Sequence, residues 1–131
     1  LLLTDAEHRF QPRPELLEKA VREVVPIDGL VIASPSNPTG TMIGPDEMSA
    51  LTGYCRENNI RLISDEIYHG LTYESTACTA LAFEENAVII NSFSKYFSMT
   101  GWRLGWMVIP EDLMRAVECL AQNLFISGPT L

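Results

Sequence analysis

Cysteine and histidine are too scarce in this sequence to build a metal centre or a disulfide framework. Cys55, Cys78 and Cys119 are odd in number and far apart, which fits neither paired bridges nor the close ligand spacing of a zinc site. With His8 and His69 as the chain's histidines, no metal is expected. Positive charge is also short: nine Lys and Arg stand against 17 Asp and Glu, for a formal charge of −8 and a sequence pI of about 4.6. The nine are scattered along the chain, whereas nucleic-acid binding draws on clustered Lys and Arg, so a polyanion partner is excluded. Long apolar runs are missing too. Nothing approaches the ~20 residues of a membrane helix, and Leu1-Leu2-Leu3 is too short for the core of a signal peptide. A cytoplasmic location is the default expectation. No internal repeat, low-complexity segment or linker interrupts the chain.

What is there is an ordinary globular composition. With 131 residues, 47% of them hydrophobic, and a mean hydropathy of +0.08, the chain is long enough for one compact domain with a real core. Pro14 followed by Leu16, Leu17, Ala20, Val21, Val24 and Val25 forms a helical stripe that Pro26 closes. Leu30 to Ala33 is an unbroken apolar run, which predicts a central parallel strand covered on both faces. Gly44-Pro45-Asp46-Glu47 reads as a helix start with acidic first-turn residues; Met48, Leu51 and Cys55 form its buried face, and Asn58-Asn59 end it.

Strands are expected over Ile60 to Ser64, Ala87 to Asn91 and Leu104 to Ile109. From Glu111 a helix of about 15 residues is expected, with Leu113, Val117, Leu120 and Leu124 as a core stripe and Ser127-Gly128-Pro129 as its break. Strands alternating with helices predict an α/β fold with a mostly parallel sheet and helices on both faces.

Chemistry concentrates around Lys95. It stands in Asn91-Ser92-Phe93-Ser94-Lys95-Tyr96-Phe97-Ser98-Met99-Thr100-Gly101-Trp102-Arg103, flanked by hydroxyls and followed eight residues later by an arginine. An amine that condenses with an aldehyde, beside a planar cation suited to phosphate oxygens, matches a cofactor carrying both groups. Ser-x-Ser-Lys alone recurs by chance as a solvated loop. Two further polar sets follow apolar runs: Ser34-Pro35-Ser36-Asn37-Pro38-Thr39-Gly40 after Leu30 to Ala33, and Ser64-Asp65-Glu66-Ile67-Tyr68 after Ile60 to Ile63. Strand ends are where open α/β sheets place their ligands.

With Asn-Pro-Thr-Gly, Asp-x-x-Tyr and Ser-x-x-Lys in this order, Asn37 and Asp65 separated by 28 positions and Asp65 and Lys95 by 30, the chain resembles the class I/II aminotransferases, the fold-type-I pyridoxal phosphate enzymes. The resemblance runs from about Gly29 to the C-terminus. It implies a homodimeric enzyme that exchanges an amino group between an amino acid and a 2-oxo acid, with pyridoxal 5'-phosphate as cofactor. It also implies a subunit several times longer, with a large cofactor domain and a small domain built from both chain ends. Residues 1–131 then form part of the large domain, without the small one.

The resemblance assigns roles residue by residue. Lys95 forms the internal aldimine and later moves the proton at substrate Cα. Asp65 pairs with the pyridine nitrogen, and strand alternation turns its neighbour Glu66 to the other face. Asn37 and Tyr68 both donate to the cofactor's phenolate oxygen. Pro38 makes the bond after Asn37 a cis candidate. Ser92 and Arg103 hold the phosphate, with Ser94 as a third donor. Lys95, Asp65 and Tyr68 are thus the expected catalytic set, and Asn37, Ser92, Ser94 and Arg103 complete the cofactor site. Gly101 and Gly105 either allow close backbone approach or serve as turn and bulge glycines. His69 and Tyr73 are placed to border the pocket but are expected to be packing residues.

The ring-stacking aromatic, the glycine-rich phosphate turn and the substrate-carboxylate arginine of the family have no counterpart in these residues, so the chain alone is expected to be inactive. Other readings start from the same residues: a C–S β-lyase or decarboxylase needs the same electron sink, and a non-catalytic aminotransferase-like sensor domain needs only the fold.

Overall fold

The computed structural model describes residues 2–23 and 26–128. Val24, Val25 and Pro129, to which the sequence gives roles in the first helix and at the end of the last, lie outside them. Three helices, α1 (Pro14–Glu23), α2 (Pro45–Glu57) and α3 (Glu111–Leu124), accompany four strands, β1 (Gly29–Ala33), β2 (Arg61–Asp65), β3 (Val88–Ser92) and β4 (Gly105–Val108). The strands form one sheet in the order β1-β2-β3-β4. The first three run parallel, with Ile32 beside Ser64 and Ser64 beside Ile89. β4 returns antiparallel to β3, pairing Ser92 with Gly105. The fold is therefore α/β with a mostly parallel sheet.

Period-two alternation decides which side chains enter the core. Leu30, Ile32, Leu62 and Ile89 share one buried cluster with Met48, Leu51 and Cys55 of α2, the helical face that the 3.6-residue spacing marks. α1 adds Leu17 to this cluster, whereas Val21 of the expected stripe remains 37% exposed.

Two expectations about burial are corrected. Among the described residues β1 lies at the edge of the sheet rather than in its centre, and its outward-facing Val31 is 68% exposed. α3 has no buried residue, and Leu120 and Leu124 of its stripe are 58% and 73% exposed. In both cases the apolar pattern reports a surface suited to burial, while no element among the described residues covers it.

Glu47 closes the start of α2. Its Oε2 accepts the Gly44 N–H at 2.9 Å, and Arg9 Nη2 donates to Oε1 at 2.6 Å. The Arg9 hydrogen bond, followed by the Gly44 N–H, holds the carboxyl below its ordinary range. A group depressed by folding contributes stability that is fully present above its unfolded pKa and is lost as pH falls through its folded one. Glu47→Gln should therefore lower the denaturant midpoint of the full-length protein at neutral pH, and the deficit should shrink below the ordinary glutamate range. A deficit independent of pH would assign the effect to something other than charge.

Candidate active site

The C-terminal ends of the three parallel strands supply every residue that the sequence marks for chemistry except Arg103. β1 runs into the loop 34–40, whose Asn37-Pro38 peptide is cis as anticipated, as is Ser34-Pro35. Two backbone bonds fold the loop on itself, Gly40 N–H to Ser36 O at 2.7 Å and Ser36 N–H to Thr41 O at 2.9 Å. From the end of β2, Tyr68 reaches back to it, so that Asn37 Nδ2 lies 3.4 Å from Tyr68 Oη. The two donors assigned to one acceptor are thus neighbours.

Asp65 is the last residue of β2, between Ala33 of β1 and Ile90 of β3 in the register. Its Oδ1 accepts the Ile67 N–H at 3.1 Å, an Asx-type turn that starts the segment carrying Tyr68. Oδ2 makes no hydrogen bond among the described residues. Glu66 turns the other way, as alternation requires, and is buried at 3% exposure. Three donors meet its Oε1: Ser64 Oγ at 3.2 Å, Thr79 Oγ1 at 3.1 Å and Ala80 N–H at 2.9 Å.

β3 ends at Ser92 and the chain turns through Lys95 into β4. Ser92 Oγ donates to the Leu104 carbonyl at 3.0 Å and accepts the Ser94 N–H at 3.0 Å, with the two hydroxyl oxygens 2.9 Å apart. Thr100 Oγ1 donates to Ser94 O at 2.7 Å, bracing the same loop. Phe93 packs on Phe97 and Trp106, with ring centroids 5.3 and 4.9 Å away. This scaffold holds Lys95 Nζ 5.8 Å from the centroid of the Tyr68 ring, across to the β2 segment.

Arg103 adopts a left-handed backbone, φ 53°, and donates to the Thr100 carbonyl at 2.9 Å. Arg9, Phe10, Asn59, Ser98 and Ile126 share this region, so the backbone conformation by itself does not single out Arg103. Neither Lys95 nor Arg103 forms an ion pair among the described residues, while the chain's other arginines do. In a protein with a net charge of −8, two cations without an acidic partner among the described residues, on the segment that also carries Ser92 and Ser94, are groups suited to an anion.

The glycines separate. A Cβ at Gly105 would stand 2.7 Å from the Asn91 carbonyl oxygen, so this position does require close approach, whereas at Gly101 it would meet nothing within 4 Å. Gly70, not marked by the sequence, has φ 90° and faces the Tyr96 ring at 2.7 Å from such a Cβ.

Tyr73, expected to pack, is 95% exposed, because the segment that carries it is an open bend. His69 is partly buried, but it bridges polar groups rather than filling apolar space: Nε2 lies 3.0 Å from Ser34 O and Nδ1 lies 3.3 Å from Glu66 Oε2. The thiols take no part. Burial, and secondarily Glu84, pushes Cys55 up to about 11, and burial also raises Cys78.

A cleft of about 590 Å³ opens beside Asn37, Pro38, Met42 and Tyr68. A larger concavity of about 910 Å³ lies at the opposite strand ends. Its arginines are already matched, Arg61 with Asp112 at 2.6 Å and Arg56 with Glu84 at 3.1 Å. Of the residues that the sequence marks for chemistry, Asn37 and Tyr68 line the smaller cleft, and none lines the larger one.

The family model for aminotransferase class I and II matches residues 4–131. The valine–pyruvate aminotransferase of Mycobacterium tuberculosis is 50% identical over 125 residues, 94% of this chain and 31% of that protein. An aspartate aminotransferase of Bacillus subtilis is 43% identical over 129 residues, 95% of this chain and 32% of that protein. Among solved structures, an aminotransferase from Mycobacterium tuberculosis superposes with TM-score 0.86 at 48% identity, covering 96% of this chain and 34% of that one. Aspartate aminotransferase from Thermus thermophilus with maleate gives 0.88 at 30% identity, covering 97% and 33%. The chain spans about a third of the length of the relatives it matches, and over that span it belongs to the class I and II aminotransferases.

Proposed function

We propose that the protein containing this chain is a pyridoxal phosphate-dependent aminotransferase, acting as a homodimer on an amino acid and a 2-oxo acid, with residues 1–131 as part of its cofactor-binding large domain. The observation that carries the reading is the convergence of three strand ends, with Lys95 Nζ 5.8 Å from the Tyr68 ring and Asn37 Nδ2 3.4 Å from Tyr68 Oη. The donor set fits the cofactor. Arg103 suits a phosphate dianion, and Ser92 and Ser94 would join it once their hydroxyls turn from the Leu104 carbonyl and from each other; Asp65 has an unbonded carboxylate oxygen for a protonated ring nitrogen, and Asn37 with Tyr68 suits a phenolate. When bound, pyridoxal phosphate supplies a carbonyl that condenses with amines and a ring that withdraws electrons from the substrate's Cα.

The chain's own groups supply the remainder. Lys95 would anchor the cofactor through its amine and, when that amine is free, would take up the proton from substrate Cα. Asp65 would keep the ring nitrogen protonated, so that the ring could draw in the negative charge developing at substrate Cα. Asn37 and Tyr68 donate to the ring oxygen and thereby fix the orientation of the ring. Ser92, Ser94 and Arg103 hold the distal phosphate, so that binding energy there positions the reacting atoms.

The test uses the full-length protein loaded with pyridoxal phosphate. With a ¹⁵N-labelled amino acid and an unlabelled 2-oxo acid, the label should appear in the amino acid formed from the acceptor. Release of labelled ammonia with pyruvate, and no transfer to any acceptor, would assign a lyase instead. Cofactor binding without turnover of any amino acid would assign a sensor.

A further inference from the structure

We propose that His69 is a positioning residue: its ring is a strut that fixes the loop carrying Asn37 against the turn carrying Asp65 and Tyr68. Three observations support it. Glu66, the residue next to Asp65, is a carboxylate with a side chain only 4% exposed, and burying such a group is costly unless its oxygens are engaged. Oε1 is engaged by three donors from Ser64, Thr79 and Ala80. Oε2 faces His69 Nδ1 at 3.3 Å, and with Nε2 donating elsewhere this contact holds through one proton carried by Nδ1 or by Oε2.

On the other edge of the same ring, Nε2 lies 3.0 Å from the Ser34 carbonyl. A carbonyl oxygen has no hydrogen to give, so Nε2 is the donor. Ser34 opens the loop 34–40 and is otherwise held by its N–H on Asp65 O at 3.2 Å and by its Oγ, which accepts the Ile43 N–H at 2.9 Å. Imidazole presents two nitrogens on separate edges of one rigid ring. It therefore sets a fixed span between a frame anchored on Glu66 and the first peptide of the loop. The Asn37–Tyr68 contact at 3.4 Å joins the same two segments on the ligand side. Without the strut, that contact and the donor geometry of Asn37 depend on the Ser34–Asp65 and Ser34–Ile43 bonds and on the loop's own backbone bonds.

Two isosteric variants separate the two edges. A glutamine amide places its nitrogen near that of Nε2 and retains a donor for Ser34. An asparagine amide places its nitrogen near Nδ1 and retains only the Glu66 side. Both are made in the full-length protein and read in two ways. Hydrogen exchange of the backbone amides of residues 36–41 without cofactor needs no assumption about the reaction. The dissociation constant for pyridoxal phosphate rests on the proposed function.

His69→Asn should accelerate exchange of these amides and weaken cofactor binding about tenfold, the loss expected for one positioning hydrogen bond, while His69→Gln stays within about threefold of the parent in both. Equal behaviour of the two variants in exchange, whether both unchanged or both impaired, would overturn the strut. Faster exchange in His69→Asn with unchanged cofactor affinity would overturn its positioning role. If the parent protein binds no pyridoxal phosphate, the exchange measurement alone decides the strut, and the failure falls on the proposed function.

Discussion

In the full-length protein, Lys95→Ala should abolish covalent attachment of pyridoxal phosphate and lower turnover by at least about 10⁴-fold, since a general base alone is worth up to about that factor and the anchoring amine is lost with it. Borohydride reduction of the parent followed by peptide mapping should place the cofactor on Lys95. The chain's other lysine is the internal control. Lys19 lies on α1 beside Glu15, Glu18 and Glu23, with no hydroxyl pair or uncompensated arginine near it in sequence. A carboxylate-rich surface repels a phosphate, so Lys19 should remain unmodified. An adduct on Lys19 with Lys95 untouched would refute both the assignment and the reading of the loop built on it.

Residue type and local period made the site legible. Asp65 and Glu66 separate to opposite faces because side chains alternate along a strand, and the structure places one at the open strand end and the other at 3% exposure. α2 begins and ends where Pro45 and the Asn58-Asn59 pair indicate. What failed depends on partners that sequence spacing does not encode. The apolar run of β1 states what that strand is able to bury, yet no element among the described residues covers Val31. β4 runs antiparallel because the lysine loop, tied by Phe93 N–H to Leu104 O at 3.2 Å, turns the chain back without crossing a sheet face. His69 was legible only as a packing residue, since its carbonyl partner lies 35 positions away in the chain. The His69–Glu66 spacing of three within one turn is the local sign that was present.

Asp65 offers the second large effect, and here local structure complicates the usual alanine test. Its Oδ1 holds the Ile67 N–H at 3.1 Å, so Asp65→Ala removes a turn contact as well as a charge. Asp65→Asn keeps an oxygen for that contact and removes only the charge. If the carboxylate's task is to keep the ring nitrogen protonated, Asn and Ala should both slow proton removal from substrate Cα in single turnovers by roughly 10²–10³-fold, the scale of losing one preorganised electrostatic contact. Both should retain some bound cofactor, because Ser92, Ser94, Arg103 and Lys95 are untouched. Asp65→Glu should be milder, since it restores the charge at the cost of displacing it by one methylene. The loss belongs to the step in which charge develops, so it should appear in the single-turnover rate rather than in substrate affinity. A parent-like rate in Asp65→Asn beside a damaged Asp65→Ala would reassign Asp65 to the turn that carries Tyr68 and require another acid for the ring nitrogen.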